Sequence, residues 1–164
     1  MEKKDRQLLI KDLSARLSYG VHIREYNDEY GWSDGVLSTI TNDYFSEGEP
    51  SIEGNWINRV EDVKPYLRPL YSMTEDEARF ILKFILGDQK VYMVNVTKDG
   101  IEAYVDDGVA SFEKNYVFHN EIVRSLGIFD YLNERHFDYR GLIDKGLALE
   151  APDNMYNLEH KMTL

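Results

Sequence analysis

Apolar residues recur with two different periods along this chain, and the changes of period mark its elements. Over residues 5–17, Leu8, Leu9, Leu13 and Leu17 separate from Asp12 and Arg16 at helical spacing, which predicts a short amphipathic helix with an apolar and a charged face. Tyr19-Gly20 ends it. Residues 21–26 then alternate with the period of a strand, and Asn27-Asp28-Glu29-Tyr30-Gly31 has turn chemistry. A second strand is expected over 35–40 and a third around 56–60, giving a small antiparallel β-meander or a barrel-like half.

Residues 63–70 read Val-Lys-Pro-Tyr-Leu-Arg-Pro-Leu, and a proline at both 65 and 69 excludes a helix interior. The segment reads as an extended, edge-like connector between two halves. Thr74-Glu75-Asp76-Glu77 is a capping box: the Thr74 hydroxyl can accept from the Glu77 amide while the Glu77 carboxylate reaches back to the Thr74 amide. The helix it starts runs through Ala78, Ile81, Leu82 and Ile85 on one face, and Gly87 is placed to end it. Two β-rich runs, 91–96 and 101–105, flank Thr97-Lys98-Asp99-Gly100, which predicts a hairpin closed by Asp106-Asp107-Gly108. A last helix is expected from about Asn120 to His136, with Ile122, Leu126, Phe129 and Leu132 facing the core and Gly127 weakening it by about 1 kcal/mol. Residues 137–164 are expected to pack irregularly and then fray. The fold class is α+β, a meander or barrel-like half followed by a helix–hairpin–helix half. It is read as one domain over 1–164 with an internal division near 63–73.

Composition narrows the function. At 164 residues and 43% hydrophobic content the chain can bury a core unaided and is too apolar for disorder. Thirty acidic against 19 basic residues give a net charge of −11, a field that repels phosphate backbones and anionic lipids. Neither free nucleic acid nor a membrane is an expected partner, and a protein partner is expected to be basic. The acids divide between the halves, 13 before residue 73 and 17 after it, so there is no acidic tail. With no cysteine, disulfides, thiolate metal sites and a cysteine nucleophile are all excluded. The opening residues lead into only three consecutive apolar positions, Leu8 to Ile10, so no signal peptide or span is drawn and a cytoplasmic protein is expected.

Three stretches carry a resemblance. Leu9-Ile10-Lys11-Asp12-Leu13-Ser14-Ala15-Arg16-Leu17 with Tyr19-Gly20-Val21, the 63–70 segment running into Ser72-Met73-Thr74-Glu75, and His136-Phe137-Asp138-Tyr139-Arg140-Gly141-Leu142-Ile143 together resemble uncharacterised proteins of Bacteroidales bacteria and of their phages and mobile elements. The resemblance implies a cytoplasmic protein of an accessory or phage-derived gene set and brings no reaction, ligand or site residue with it.

The chain carries no phosphate-cradling glycine loop, paired-histidine zinc helix, nucleophile elbow or calcium loop. No two of His22, His119, His136 and His160 have the spacing that puts both on one helical face. His136 with Asp138, and Arg140 close by, could share a divalent ion; a cation near a helix C-terminus with Tyr139 and Arg140 packing the turn explains the same residues more simply. The Glu75-Asp76-Glu77 and Asp106-Asp107 carboxylates fit a helix start and a turn. Residues 64–69 have the proline spacing of a polyproline ligand, but inside a folded domain that spacing more often marks a rigid edge segment. Tyr19, Tyr26, Tyr30 and Trp32 cluster early, as a contact surface or as core. No catalytic, cofactor-binding or metal-binding residue is assigned and no cofactor is expected. The interaction surface suggested by these motifs is Tyr66, Arg68, His136, Asp138, Tyr139 and Arg140. The expected function is a non-enzymatic protein-interaction module of phage or mobile-element type. An acidic DNA-mimic inhibitor and a small metal-dependent hydrolase built on His136 and Asp138 are the alternatives.

Overall fold

Two hydrophobic clusters organise the chain, one around Leu9, Leu13, Ile23, Ile52 and Leu67, the other around Ile81, Leu82, Ile101, Leu132 and Phe137. A computed structural model describes residues 1–45, 49–98, 100–105, 108–113 and 122–156. Residues 1–67 and 142–151 form one compact unit, and residues 68–141 and 152–164 form a second. The chain is therefore two units of α+β structure, and the first crossing between them, after Leu67, falls inside the 63–73 segment.

In the first unit, α1 (Lys3–Arg16) buries Leu9 and Leu13. Its charged residues overturn the two-faced helix: Asp12 and Arg16 have no exposed surface, whereas Leu17 is 36% exposed. Arg16 Nε and Nη2 donate to the two Asp12 carboxylate oxygens at 2.8 and 3.0 Å. This fork geometry one helical turn apart is what makes two desolvated charges tolerable. A 3-10 turn over Leu17–Tyr19 and Gly20 at φ 67° end the helix.

Strands β1 (His22–Asn27) and β2 (Gly31–Val36) form an antiparallel hairpin. Strands β3 (Thr39–Phe45), β4 (Glu49–Glu53) and β5 (Ile57–Arg59) form a second antiparallel sheet in that order. The single strand expected over 35–40 is broken at Leu37-Ser38, where Leu37 N donates to Val21 O and Ser38 N to Glu53 O, so the chain changes sheets there. Strand β6 (Val63–Leu67) pairs antiparallel with β1 and parallel with β10 (Leu149–Glu150), in the order β10-β6-β1-β2. The expected edge segment is thus an interior strand. Pro65 fits because β10 lies opposite only Tyr66 and Leu67. Both sheets are open, not barrel-like.

A buried carboxylate joins the hairpin to the turn before β5. Glu25, with no exposed surface, accepts from Asn55 N at 2.9 Å, Trp56 N at 3.3 Å and Asn58 Nδ2 at 2.8 Å. The approach needs two glycines. A Cβ on Gly35 would lie 2.9 Å from Glu25 Oε1 and 2.7 Å from Asn55 Nδ2, and one on Gly54 would lie 3.1 Å from Glu25 Oε2.

In the second unit, α2 (Glu75–Leu86) starts with the full capping box: Glu77 N donates to Thr74 Oγ1 at 3.3 Å, and Thr74 N to Glu77 Oε2 at 2.9 Å. Glu77 also receives Arg68 Nη1 and Nη2 at 2.8 and 3.0 Å. Burial alone would raise the Glu77 pKa, but the Arg68 guanidinium and the Thr74 donors outweigh it and hold the carboxyl below its ordinary range. Strands β7 (Val91–Thr97), β8 (Gly100–Val105) and β9 (Gly108–Glu113) make an antiparallel sheet, so the expected hairpin has a third strand. Gly108, read as closing the hairpin, opens that strand; Asp99, Asp106, Asp107, Asn120 and residues 157–164 lie outside the described residues. Helix α3 (Ile122–Glu134) carries Gly127 where a Cβ would meet Phe84 of α2 at 3.0 Å, so the glycine that weakens the helix also lets the two helices close.

Three stability measurements test these contacts. Gly35→Ala should lower unfolding stability by about 1–3 kcal/mol through overpacking against Glu25 and Asn55, and an unchanged urea midpoint would refute the close approach. Arg68→Ala should cost about 3–5 kcal/mol, because it leaves the Glu77 charge buried without its partner. Since the Glu77 pKa is lowered on folding, its contribution is complete above its ordinary value of 4.5 and is lost as pH falls through the folded value. The stability gap between wild type and Glu77→Gln should therefore narrow on acidification; a constant gap would contradict it.

Candidate functional site

The β1–β2 hairpin ends in a short loop, Asp28-Glu29-Tyr30, whose form follows from its flanks. Asn27 Oδ1 accepts from Glu29 N at 2.9 Å and from Tyr30 N at 3.3 Å, and Gly31 takes the left-handed conformation at φ 75°. The register sets Tyr26 opposite Trp32 and Arg24 opposite Asp34, so these four share one face. The Tyr26 and Trp32 rings lie 5.2 Å apart, tilted by 59°. Ser33 points to the other face, where its hydroxyl accepts from Trp56 Nε1 at 3.3 Å. Tyr30 stacks on Trp56 at 5.1 Å and 12°. One aromatic pair thus covers each face of the hairpin end.

These rings are left in water. Tyr26 is 37% exposed, Tyr30 62% and Trp32 53%. Burying a large side chain yields roughly 1.5–3 kcal/mol, so three such rings gathered at one end forgo a substantial stabilisation that a partner would recover. The unit beneath has its own core and gains no packing from their exposure.

The sequence around the hairpin loop is acidic. Residues 28–62 contain nine acidic residues and one basic residue, Arg59, so the division of acids between the two halves conceals a local excess. Asp28 and Glu29 are exposed and have no side-chain hydrogen bond or ion pair among the described residues. The Asp62 carboxyl is raised in pKa by partial burial and then by the charge of Glu61, with Arg59 opposing and the more weakly felt Asp28 adding to the rise. On the Trp32 face, Tyr66 Oη donates to Asp34 Oδ1 at 2.9 Å and Arg24 Nε lies 3.4 Å from the same oxygen. Burial and the bond to Asp34 push the Tyr66 phenol pKa up.

The residues that motif reading singled out are mostly interior. Tyr66, Arg68, His136, Asp138 and Tyr139 are each less than a tenth exposed, and Arg140 is half-buried, so they do not form an interaction surface. Tyr66 belongs to the first unit and the other five to the second. Arg68 N donates to His136 O and Asp138 N to Arg68 O, both at 2.8 Å, a strand-like bridge centred on Phe137. The Arg68 guanidinium lies 4.1 Å over the Phe137 ring. His136 sits just past α3 with φ 58°, donating its amide to Asn133 O at 3.1 Å while Phe137 N reaches Leu132 O at 2.9 Å. That is the Schellman arrangement, with histidine where glycine is usual. Its ring stacks on Tyr156 at 3.9 Å, Tyr139 Oη donates to Asn133 Oδ1 at 3.1 Å, and Arg140 lies 4.4 Å over Tyr139.

The 64–69 segment is strand β6 and the start of a turn, not a polyproline ligand. Among the described residues no group of three or more His, Asp or Glu side chains is disposed to hold a metal ion, and His119 and His160 lie outside them. No helix among the described residues is long and apolar enough to cross a membrane. Of the early aromatic cluster, Tyr26, Tyr30 and Trp32 come together and Tyr19 sits in the 3-10 turn after α1. Trp56 escaped sequence reading because its partner ring, Tyr30, is 26 residues away. No known protein family, characterised protein or solved structure matches the chain.

If His136 serves the helix end through its backbone, removing the ring should expose a preference for glycine there. His136→Gly is expected to be more stable than His136→Ala by about 1 kcal/mol, since both lack the imidazole and only alanine is strained at positive φ. Equal unfolding midpoints would count against this role.

Proposed function

We propose that this chain is a non-enzymatic protein-interaction module and that the aromatic end of the β1–β2 hairpin docks a basic protein partner. The supporting observation is the exposure of Tyr26, Tyr30 and Trp32 together at one end of a unit that already has a core. Aromatic residues are enriched at interface centres because they bury large area at little entropic cost, and the surrounding acids would steer a basic partner toward them. The resemblance to proteins of Bacteroidales phages and mobile elements suggests a setting in which the partner is a cytoplasmic protein of the host or of the element.

A second reading has an observation of its own. Nine acids against one base over residues 28–62 would also suit a DNA-mimic inhibitor, whose partner uses the contacted surface for nucleic acid. The exposed rings favour the first reading, since phosphate mimicry has no use for them. The hydrolase alternative would have to work with His136 and Asp138, both held in the buried turn after α3.

Affinity capture from host lysate with wild type and with a Tyr30→Ser/Trp32→Thr double variant tests the proposal. A protein captured by wild type should be lost from the double variant at matched melting temperature, and its capture should weaken as salt is raised. Equal capture by both forms, or no capture by wild type, would overturn the proposal. Release of the captured protein by duplex DNA would favour the mimic reading.

A further inference from the structure

We infer that the hairpin end is an arginine-recognition site, taking arginine side chains of a partner segment on the exposed faces of Tyr30 and Trp32 with their guanidinium edges held by Asp28 and Glu29. The inference rests on the docking role proposed above and specifies its chemistry. Tyr30 has one face covered by Trp56 and is 62% exposed, and Trp32 is 53% exposed. Asp28 and Glu29 precede Tyr30 directly in the loop, and neither has a cationic partner among the described residues. The hairpin end therefore carries exposed rings together with exposed loop carboxylates.

A guanidinium suits that pairing better than an ammonium. It is planar and weakly hydrated, so it can lie on a ring while its in-plane N–H groups fork onto a carboxylate; a lysine ammonium is a strongly hydrated point charge. The chain itself builds this arrangement in its second unit. Arg68 lies 4.1 Å over the Phe137 ring while its two terminal nitrogens hold both Glu77 oxygens at 2.8 and 3.0 Å. At the hairpin end the rings and the loop carboxylates offer the same two elements to a guanidinium supplied by the partner. A second copy of this end would bring carboxylates against carboxylates, so the occupant is a partner of opposite charge.

The chain's two tryptophans, Trp32 and Trp56, both stand at this end, so intrinsic fluorescence reads the site directly. Wild type would be titrated with a synthetic Arg-Gly repeat peptide and with the Lys-Gly peptide of equal length and charge. The arginine peptide should bind about tenfold more tightly, the equivalent of about 1.4 kcal/mol. Trp32→Thr and Tyr30→Ser, followed by calorimetry, should each remove most of the preference, and Asp28→Asn/Glu29→Gln should weaken binding and flatten its salt dependence. Equal affinity for the two peptides, no binding of either, or an arginine preference that survives loss of both rings would overturn the inference. In the first two cases a partner captured by wild type and lost from the ring variant would leave the docking proposal standing.

Discussion

The Glu25 carboxylate is the interaction on which the arrangement of the first unit's hairpin end depends. It lies on the inward face of β1 and gathers the Asn55 and Trp56 amides and the Asn58 side chain, which fixes the turn entering β5 against the hairpin. That turn brings Trp56 beside Ser33, and Trp56 in turn carries Tyr30. A buried charge is costly unless its lone pairs are satisfied, and here the donors are mostly backbone groups of one short segment. The exposed rings are thus set on a rigid base, with Gly35 and Gly54 supplying the room.

The second unit uses the same device differently. Glu77 closes the capping box of α2 and pairs with Arg68, so one carboxylate serves the helix start and the first residue of the unit. Arg68 is tied by its backbone to the turn after α3 and by its guanidinium to Phe137. Sequence positions 68, 77 and 137 are thereby one structural unit. This explains why a segment rich in histidine, aspartate and arginine looks like chemistry in one dimension and is packing in three.

Local signals were legible and long-range ones were not. The capping box at Thr74, the turn at Asn27 to Gly31 and the hairpin around Lys98 follow from side-chain chemistry within a few residues, and all were readable. The inward turn of Asp12 and Arg16 was not, because a pair that satisfies itself is indistinguishable by periodicity from a solvated face. Strand β4 and the third strand β9 have weak alternation and are fixed by their neighbours in the sheet. Of the hairpin-end aromatics, three were visible as a cluster; Trp56 required the Glu25 contact to be known first.

The pairing of β10 with β6 has a consequence for how the chain is made. Residues 142–151 supply Leu142 and Ala148 to the first unit's core and a parallel neighbour to β6. A ribosome releases residues 1–67 long before those ten, so the unit that begins first can be completed only after residues 68–141 have been synthesised. Until then β6 presents an open edge and the core has two gaps. The second unit waits in the same way for residues after 151, among them Tyr156, which stacks on His136, so neither unit can be completed in the order in which it begins.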